Sequence, residues 1–315
     1  MSESYDSFFA GRGYVRIENL TIVRMTGGDR VTVLNNFCTA DIKRLAVDRG
    51  TEAFITDVRG RTLGHVCAFA LANELLLIGN GQQGERVANH IDRYIIREDA
   101  AIIDISSEMV GWLISGRQKG ASFNAGKMAT SPSLACGAVG GAMPESQWFQ
   151  VPWTSDNDSL ILTRASETDA VREWLAQCGY ASCDSEAFQI ARIEAGWPVF
   201  GVDCSDANLP QEIDRNAQAI SFTKGCYLGQ ETVARLDALG QVQKKLVRMR
   251  IDGQAVPTTG TQLMEGEKTC GEIRSATFSP TLREVIAIGY VRRRWFDPGA
   301  QLTVAGSGQT ATVSI

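Results

Sequence analysis

The sequence predicts an α+β protein with mainly antiparallel sheet and a separate C-terminal β-barrel. Strand pairs alternate with amphipathic helices as far as Gly240, a tight turn is signalled at Val58-Arg59-Gly60, and the helical period vanishes after Gly240. At 315 residues, 44% hydrophobic and 21% charged, the chain is long enough for two or three domains and too apolar for broad disorder.

In chain order, IENLTIVRMTG reads as a strand and GDRVTVLNNFCTADIKRL as a helix. TEAFITDVRGRTLGHVCAFAL reads as two strands, with Gly60 permitting the turn between them, and ELLLIGN as a third. Between Gln83 and Ile95, Val87, Ile91, Tyr94 and Ile95 share one helical face, and AIIDIS returns as a strand. A second unit begins near Met109 with GWLISG. The small-residue stretch SPSLACGAVGGAMPES reads as an exposed, mobile loop, and SQWFQVPW and SLILTR as strands.

The next helix is well signalled: Ser166 to cap it, Asp169 three residues on, an apolar stripe of Ala170, Val171, Trp174, Leu175 and Cys178, and Gly179 to stop it. Another runs from about Asp184 to Ala195, ended by Gly196 and Pro198. After Gly240, short alternating strands such as KKLVRMRIDG and REVIAIGYVRRR read as a small antiparallel barrel.

Formal charge is −5 with acids and bases interspersed, so no dedicated nucleic-acid surface is expected and direct nucleic-acid binding is not. The densest basic run, Arg292-Arg293-Arg294, reads as a solvated strand end. The N-terminus lacks a basic-then-apolar signal and no apolar run approaches a bilayer span, so the expected location is cytoplasmic and no membrane partner is expected. The eight cysteines, at 38, 67, 136, 178, 183, 204, 226 and 270, have no CxxC pair, and no metal site is read from their spacing.

One stretch stands apart. In FTKGCYLGQETVARLDALGQ, Cys226 sits just ahead of a helix that opens after Gly229 and closes at Gly240, with Lys224 two residues away. A helix start and a cation both favour thiolate, while Tyr227 can shield or stack beside it. The residues alone leave open a reactive thiol or a structural cysteine in a tight turn.

KGCYLGQE, Lys224 to Glu231, resembles the signature of the folate-binding YgfZ family, related to the glycine-cleavage T-protein. RIEAGWPVFGVD, LPQE, DVRGRTLG and the C-terminal segment from GEIRSATFSP extend the resemblance over most of the chain. It implies a ring-like arrangement around a central channel: a folate-binding α+β domain of residues 1–108 plus about 184–240, a second α+β, ferredoxin-like domain of 109–183, and a barrel of 241–315. It also implies tetrahydrofolate or another reduced folate as ligand, iron–sulfur client proteins as partners, and a link to tRNA modification.

By the same resemblance Glu212 accepts the N–H edge of the pterin, a task that suits a carboxylate. Arg192 and Arg235 are the candidates for the anionic tail, Asn80 for the lining of the same cavity, and Tyr227 for a further contact to the folate. Cys226 becomes the functional thiol, tuned by Lys224. The aminomethyltransferase branch carries an aspartate on the strand after the early hairpin. Here Leu63 or Gly64 stands in that place, which makes a folate-dependent one-carbon transferase the alternative reading.

Overall fold

The structure, a computed structural model, describes residues 3–116, 134–140, 143–240 and 242–314. It opens with α1 (Glu3–Phe9), β1 (Gly13–Ile17), β2 (Leu20–Thr26) and α2 (Arg30–Phe37). The hairpin β3 (Arg49–Thr56) and β4 (Thr62–Ala70) follows, then β5 (Leu75–Asn80), α3 (Gly84–Asp92) and β6 (Ala101–Asp104). Four strands come next: β7 (Met109–Ile114), β8 (Leu134–Gly140), β9 (Met143–Val151) and β10 (Asp158–Arg164). Then α4 (Thr168–Gln177), β11 (Ala181–Cys183), α5 (Ser185–Ala195), α6 (Asn216–Ala219) and α7 (Gln230–Leu239) lead to the C-terminal strands.

Among the described residues the first eleven strands form one sheet, ordered β11-β1-β7-β10-β9-β8-β3-β4-β5-β2-β6. Only β1 and β11 pair in parallel; the other described pairs are antiparallel. The two halves join through a short β3–β8 contact, Arg49 opposite Ala135 and Gly50 opposite Leu134.

The C-terminal strands, β12 (Lys244–Ile251), β13 (Gln262–Glu265), β14 (Lys268–Ser279), β15 (Glu284–Arg292), β16 (Gln301–Val304) and β17 (Thr310–Ser314), close into a barrel. β15 is buried on both faces. Val285, Ala287 and Val291 fill the barrel, while Ile286, Ile288 and Tyr290 pack outward against Phe54, Ile193, Phe200 and Tyr227. Period-2 geometry sends alternate residues to opposite faces, so a strand with two buried faces reads as a continuous apolar run. Ile286 and Ile288 contribute about 1.5–3 kcal/mol each by leaving water. Among the described residues no helix is long and apolar enough to cross a membrane.

The structure departs from the sequence reading in several places. IENLTIVRMTG holds the strand as read, β2, but its first residue ends the separate strand β1, because Asn19 adopts a left-handed φ of 55° and the chain crosses between sheet halves there. α2 stops at Phe37, since Cys38 turns extended, and Ile42–Arg44 forms only a 3-10 turn. α3 ends at Asp92, leaving Tyr94 exposed. Ser166 lies in a 3-10 turn and Glu167 takes the cap position of α4, whose buried stripe narrows to Val171 and Leu175. Most of the stretch taken for a loop belongs to the paired strands β8 and β9, and residues 131–133, 141 and 142 lie outside the described residues. Small residues form strands here because neighbouring strands supply the packing, which propensity does not register. α5 follows the reading closely: Asp184 accepts a hydrogen bond from the Ala187 N–H at 2.9 Å, and Gly196 closes the helix at φ 75°.

Two buried ionic groups brace the fold, and the first ties α5 to the barrel. Arg192 of α5 donates to Asp203 Oδ2 at 2.9 Å, to Ser275 Oγ of β14 at 2.9 Å, to the Trp197 carbonyl and to Gln189. Deeper in the first unit, Arg215 donates from two nitrogens to the Glu52 carboxylate on β3, and His65 Nε2 of β4 lies 2.8 Å from Glu52 Oε1. His65 stacks between Phe54 and Trp197, with ring centroids 4.9 and 4.7 Å away. Burial pushes the Glu52 carboxyl up, but the hydrogen bonds and charge of Arg215, followed by His65, outweigh it and hold Glu52 down to about 2.

Two outcomes are expected. Arg192→Met strands the Asp203 carboxylate in the interior and lowers the free energy of unfolding by about 3–5 kcal/mol, measured from a denaturant midpoint; a variant as stable as the parent overturns the clasp. The Glu52 contribution is complete above the ordinary carboxyl value of about 4.3 and is lost as pH falls towards 2. Stability measured across that window therefore declines more shallowly in Glu52→Gln than in the parent chain.

Candidate functional site

The signature loop is held from three sides. The Lys224 ammonium is buried and donates to the carbonyls of Asn35, Cys38 and Ala40, each at 2.7 Å, at the end of α2. The Leu228 N–H donates to the Asn36 carbonyl at 2.8 Å, and Thr56 Oγ1 donates to the Leu228 carbonyl at 2.7 Å. Gly229 caps α7 with φ 84°. A Cβ there would lie 2.4 Å from the Asp57 carbonyl and 2.7 Å from Gly60 Cα, so no other residue lets the helix start against the β3–β4 turn. This close approach explains a glycine in each of the two segments.

Cys226 is exposed on the outside of this loop, three residues before the cap. Lys224 is not the free cation beside the thiol that the sequence suggested. All three of its protons are engaged by carbonyls, burial pushes its ammonium down, and the nearby charges acting on it are those of Cys38, Asp41 and Lys43. Its ammonium sits 4.9 Å over the Tyr227 ring, and Tyr227 is buried in the layer between sheet and barrel. Lys224 and Tyr227 together anchor the loop that presents Cys226.

Glu212 belongs to a second structure. Pro210 opens the 3-10 turn Pro210–Ile213, where its fixed φ suits the first position, and Asp214 closes it at φ 62°. One carboxylate oxygen, Oε2, accepts from Asn208 Nδ2 at 3.2 Å and from the Leu209 N–H at 3.3 Å, and lies 3.8 Å from Lys244 Nζ. The other, Oε1, accepts no hydrogen bond among the described residues. Asn208 is itself fixed, its carbonyl accepting from the Thr62 N–H at 2.9 Å and its Oδ1 from the Ser205 N–H at 3.0 Å.

The carboxylate lines a cleft of about 590 Å³ against the outer edge of the barrel, shared with Tyr290, Lys244, Arg292 and Trp295. Tyr290 is 4% exposed, and its hydroxyl is buried without a partner among the described residues. Burial pushes its phenol far above the ordinary range, and Cys204, Glu212 and Asp203 add to the effect, so the hydroxyl keeps its proton. A buried hydroxyl with no partner is costly, and a ligand with a polar edge relieves it.

The remaining expected residues do not converge on this cleft. Arg192 is 3% exposed, with its donors committed to the clasp of α5 and barrel, so it is not a cation at a channel mouth. Arg235 is exposed on α7. Asn80 is buried with its Nδ2 unpartnered, but it lines a different pocket of about 420 Å³ with Asn19, Gln82 and Phe200, and the two pockets share no lining residue. Leu63 is half-buried, and a Cβ at Gly64 would lie 2.6 Å from Val87 Cγ2, so β4 has no room for an acid at 64. Tyr290, Lys244 and the arginine run were not singled out from sequence as site residues. The available signal was a basic run directly after the most continuously apolar strand of the chain.

Residues 244–315 match the glycine cleavage T-protein C-terminal barrel domain. A tRNA-modifying protein YgfZ of Sodalis glossinidius is 26% identical over 252 residues, 79% of this chain and 74% of that one. An aminomethyltransferase of Rubrobacter xylanophilus is 23% identical over 288 residues, 89% of this chain and 76% of its own. The crystal structure of the glycine cleavage system aminomethyltransferase T from Bartonella henselae superposes with a TM-score of 0.85 at 15% identity, covering 99% of this chain and 88% of that one. The chain thus ends in a T-protein-type barrel domain, shares the fold of an aminomethyltransferase, and over most of its length is similar to YgfZ-named proteins and aminomethyltransferases.

Proposed function

We infer that the protein binds a reduced folate such as tetrahydrofolate in the Glu212–Tyr290 cleft and supports iron–sulfur enzymes through the thiol of Cys226. The observation that carries the folate reading is the pair of polar groups in that cleft: a carboxylate with one oxygen tied and the other open, beside a buried hydroxyl without a partner. A reduced pterin presents adjacent N–H donors along one edge, and a carboxylate with a free oxygen is the acceptor they need. Asn208 and the Leu209 N–H hold Glu212 in orientation, and the Tyr290 hydroxyl supplies a second polar contact at the same wall. A reduced folate bound there carries one-carbon units.

Cys226 has a separate part. A thiol on a loop anchored by Lys224, Tyr227 and Gly229 is exposed to a large partner while its backbone stays fixed. Such a thiol can attack an electrophile or exchange with a disulfide of an iron–sulfur client protein. The name of the YgfZ relatives points to tRNA. For this chain the link is read as the supply of working iron–sulfur enzymes to tRNA modification, without contact to RNA. Aminomethyl transfer, the activity in the names of other relatives, needs a positioned acid–base group. Leu63 and the crowded Gly64 count against it.

Two measurements test this. In calorimetry, tetrahydrofolate binds the parent protein saturably and Glu212→Ala weakens it about 10- to 100-fold, the value of about 1.5–3 kcal/mol for hydrogen bonds to a charged group. An unchanged constant in the variant removes Glu212 from the site. Cys226→Ser is expected to fold and bind folate as the parent does, yet fail to restore activity of iron–sulfur enzymes in cells lacking the protein. Full restoration sinks the thiol reading.

A further inference from the structure

Asn80 closes β5 with a buried amide that no neighbour engages. It is 6% exposed, its Nδ2 is buried without a partner, and its Oδ1 accepts no hydrogen bond among the described residues. Its backbone is fixed on both sides, opposite Leu20 of β2 and accepting the Phe200 N–H at 3.2 Å. An unsatisfied amide costs the fold stability, and this one borders a cavity of about 420 Å³. Gly81, at φ 106°, brings the next wall close: a Cβ there would lie 2.1 Å from the Phe200 carbonyl oxygen.

Phe188, Val199 and Phe200 give the cavity apolar walls. Two other amides at its edge are already committed. Gln189 Oε1 accepts from Arg192 Nε at 2.6 Å, and Gln82 Nε2 donates to Asn19 Oδ1 at 2.8 Å. Asn80, by contrast, offers a donor and an acceptor side by side between apolar surfaces. That is the complement of a flat heterocycle with an adjacent donor and acceptor on one edge, as when an asparagine amide reads adenine.

The cavity adjoins a polar groove of about 1030 Å³, with which it shares Arg16, Ile17, Glu18, Asn19 and Gln82. Asn89, Ser106 and Ser107 line the groove, and its charges are Arg16 and Arg86 against Glu18, Glu85 and Asp104. Arg86 is paired with Asp206 at 2.7 Å. The groove therefore leans acidic, which disfavours a phosphate. Carboxylates and amides suit the hydroxyls of a ribose.

We propose that this cavity and groove bind an uncharged purine nucleoside, with an adenine-type base against Asn80 and the ribose along the groove. The site shares no lining residue with the Glu212 cleft and stands independently of the folate reading. What separates a nucleoside from a nucleotide or an RNA strand here is charge, since every phosphate adds a negative group beside Glu18, Glu85 and Asp104.

The test is calorimetry of adenosine with the full chain, where saturable binding is expected. Purine riboside lacks the exocyclic amino donor and binds about tenfold more weakly, the loss of one hydrogen bond. Asn80→Leu removes both polar groups at nearly constant size and weakens adenosine about tenfold or more. Its thermal midpoint stays at or above that of the parent, because an unsatisfied amide has left the interior. Adenosine 5′-monophosphate binds more weakly than adenosine at low salt, and the gap closes in 0.5 M salt. Absence of adenosine binding, or an unchanged affinity in Asn80→Leu, overturns the site. Purine riboside binding as tightly as adenosine overturns it too, and that comparison on the parent chain does not depend on a variant folding. Tighter binding of the monophosphate or of an oligoadenylate overturns the nucleoside assignment in favour of a phosphorylated ligand. Loss of tetrahydrofolate binding in folded Asn80→Leu returns the cavity to the folate site and also overturns the proposal.

Discussion

The interaction on which the rest of this structure depends is the double burial of β15. One face of Glu284–Arg292 completes the barrel, and the other is the wall against which the first unit packs. A strand in this position cannot shift by one residue, because the slip would exchange both sets of buried side chains at once. Its register therefore fixes where Tyr290 and Arg292 emerge, and with them the cleft opposite Glu212. The Arg192–Asp203–Ser275 group locks the same interface from the side, through a charge that burial makes expensive to leave unpaired.

The second constraint is the seating of the Lys224 ammonium among three carbonyls. A lysine with all three donors engaged below the surface is an anchor, and here it joins the signature loop to the end of α2. The glycine contact between Gly229 and Gly60 joins the same loop to the β3–β4 turn. Cys226 is thus carried on a short arc whose two ends are fixed, with the thiol outside. Glu212 and Cys226 occupy different settings, one lining a cleft beside the barrel and one exposed on a loop. The carboxylate and the thiol therefore lie on separate surfaces.

The α+β class, the helix from about Asp184 to its Gly196 stop, the β3–β4 hairpin and the C-terminal barrel were all legible in the sequence, because turns, helix stops and hydrophobic period are local. The split at Asn19, the early end of α2 and the β8–β9 pairing were not. Each turns on a partner outside the local segment: Ile17 finds Gly111 and Leu20 finds Asn80, Cys38 finds Ile55, and Leu134 of β8 finds Gly50 of β3. In the site, Glu212 and Cys226 stood out because their motifs are contiguous. Arg192 was misjudged because an arginine's role depends on what it faces, and Asp203 and Ser275 are 11 and 83 residues away.

By itself the sequence determined which segments alternate, the extent of α5, and that Cys226 precedes a helix start, while the resemblance alone singled out Glu212. Only the tertiary structure decided that Lys224 is an anchor, that Asn80 and Glu212 line separate pockets, and that Tyr290 and the arginine run share the cleft of Glu212. The reason is physical. Local order follows from backbone sterics and short-range periodicity, whereas the state of a polar side chain is set by burial and by partners that long-range packing alone brings within reach.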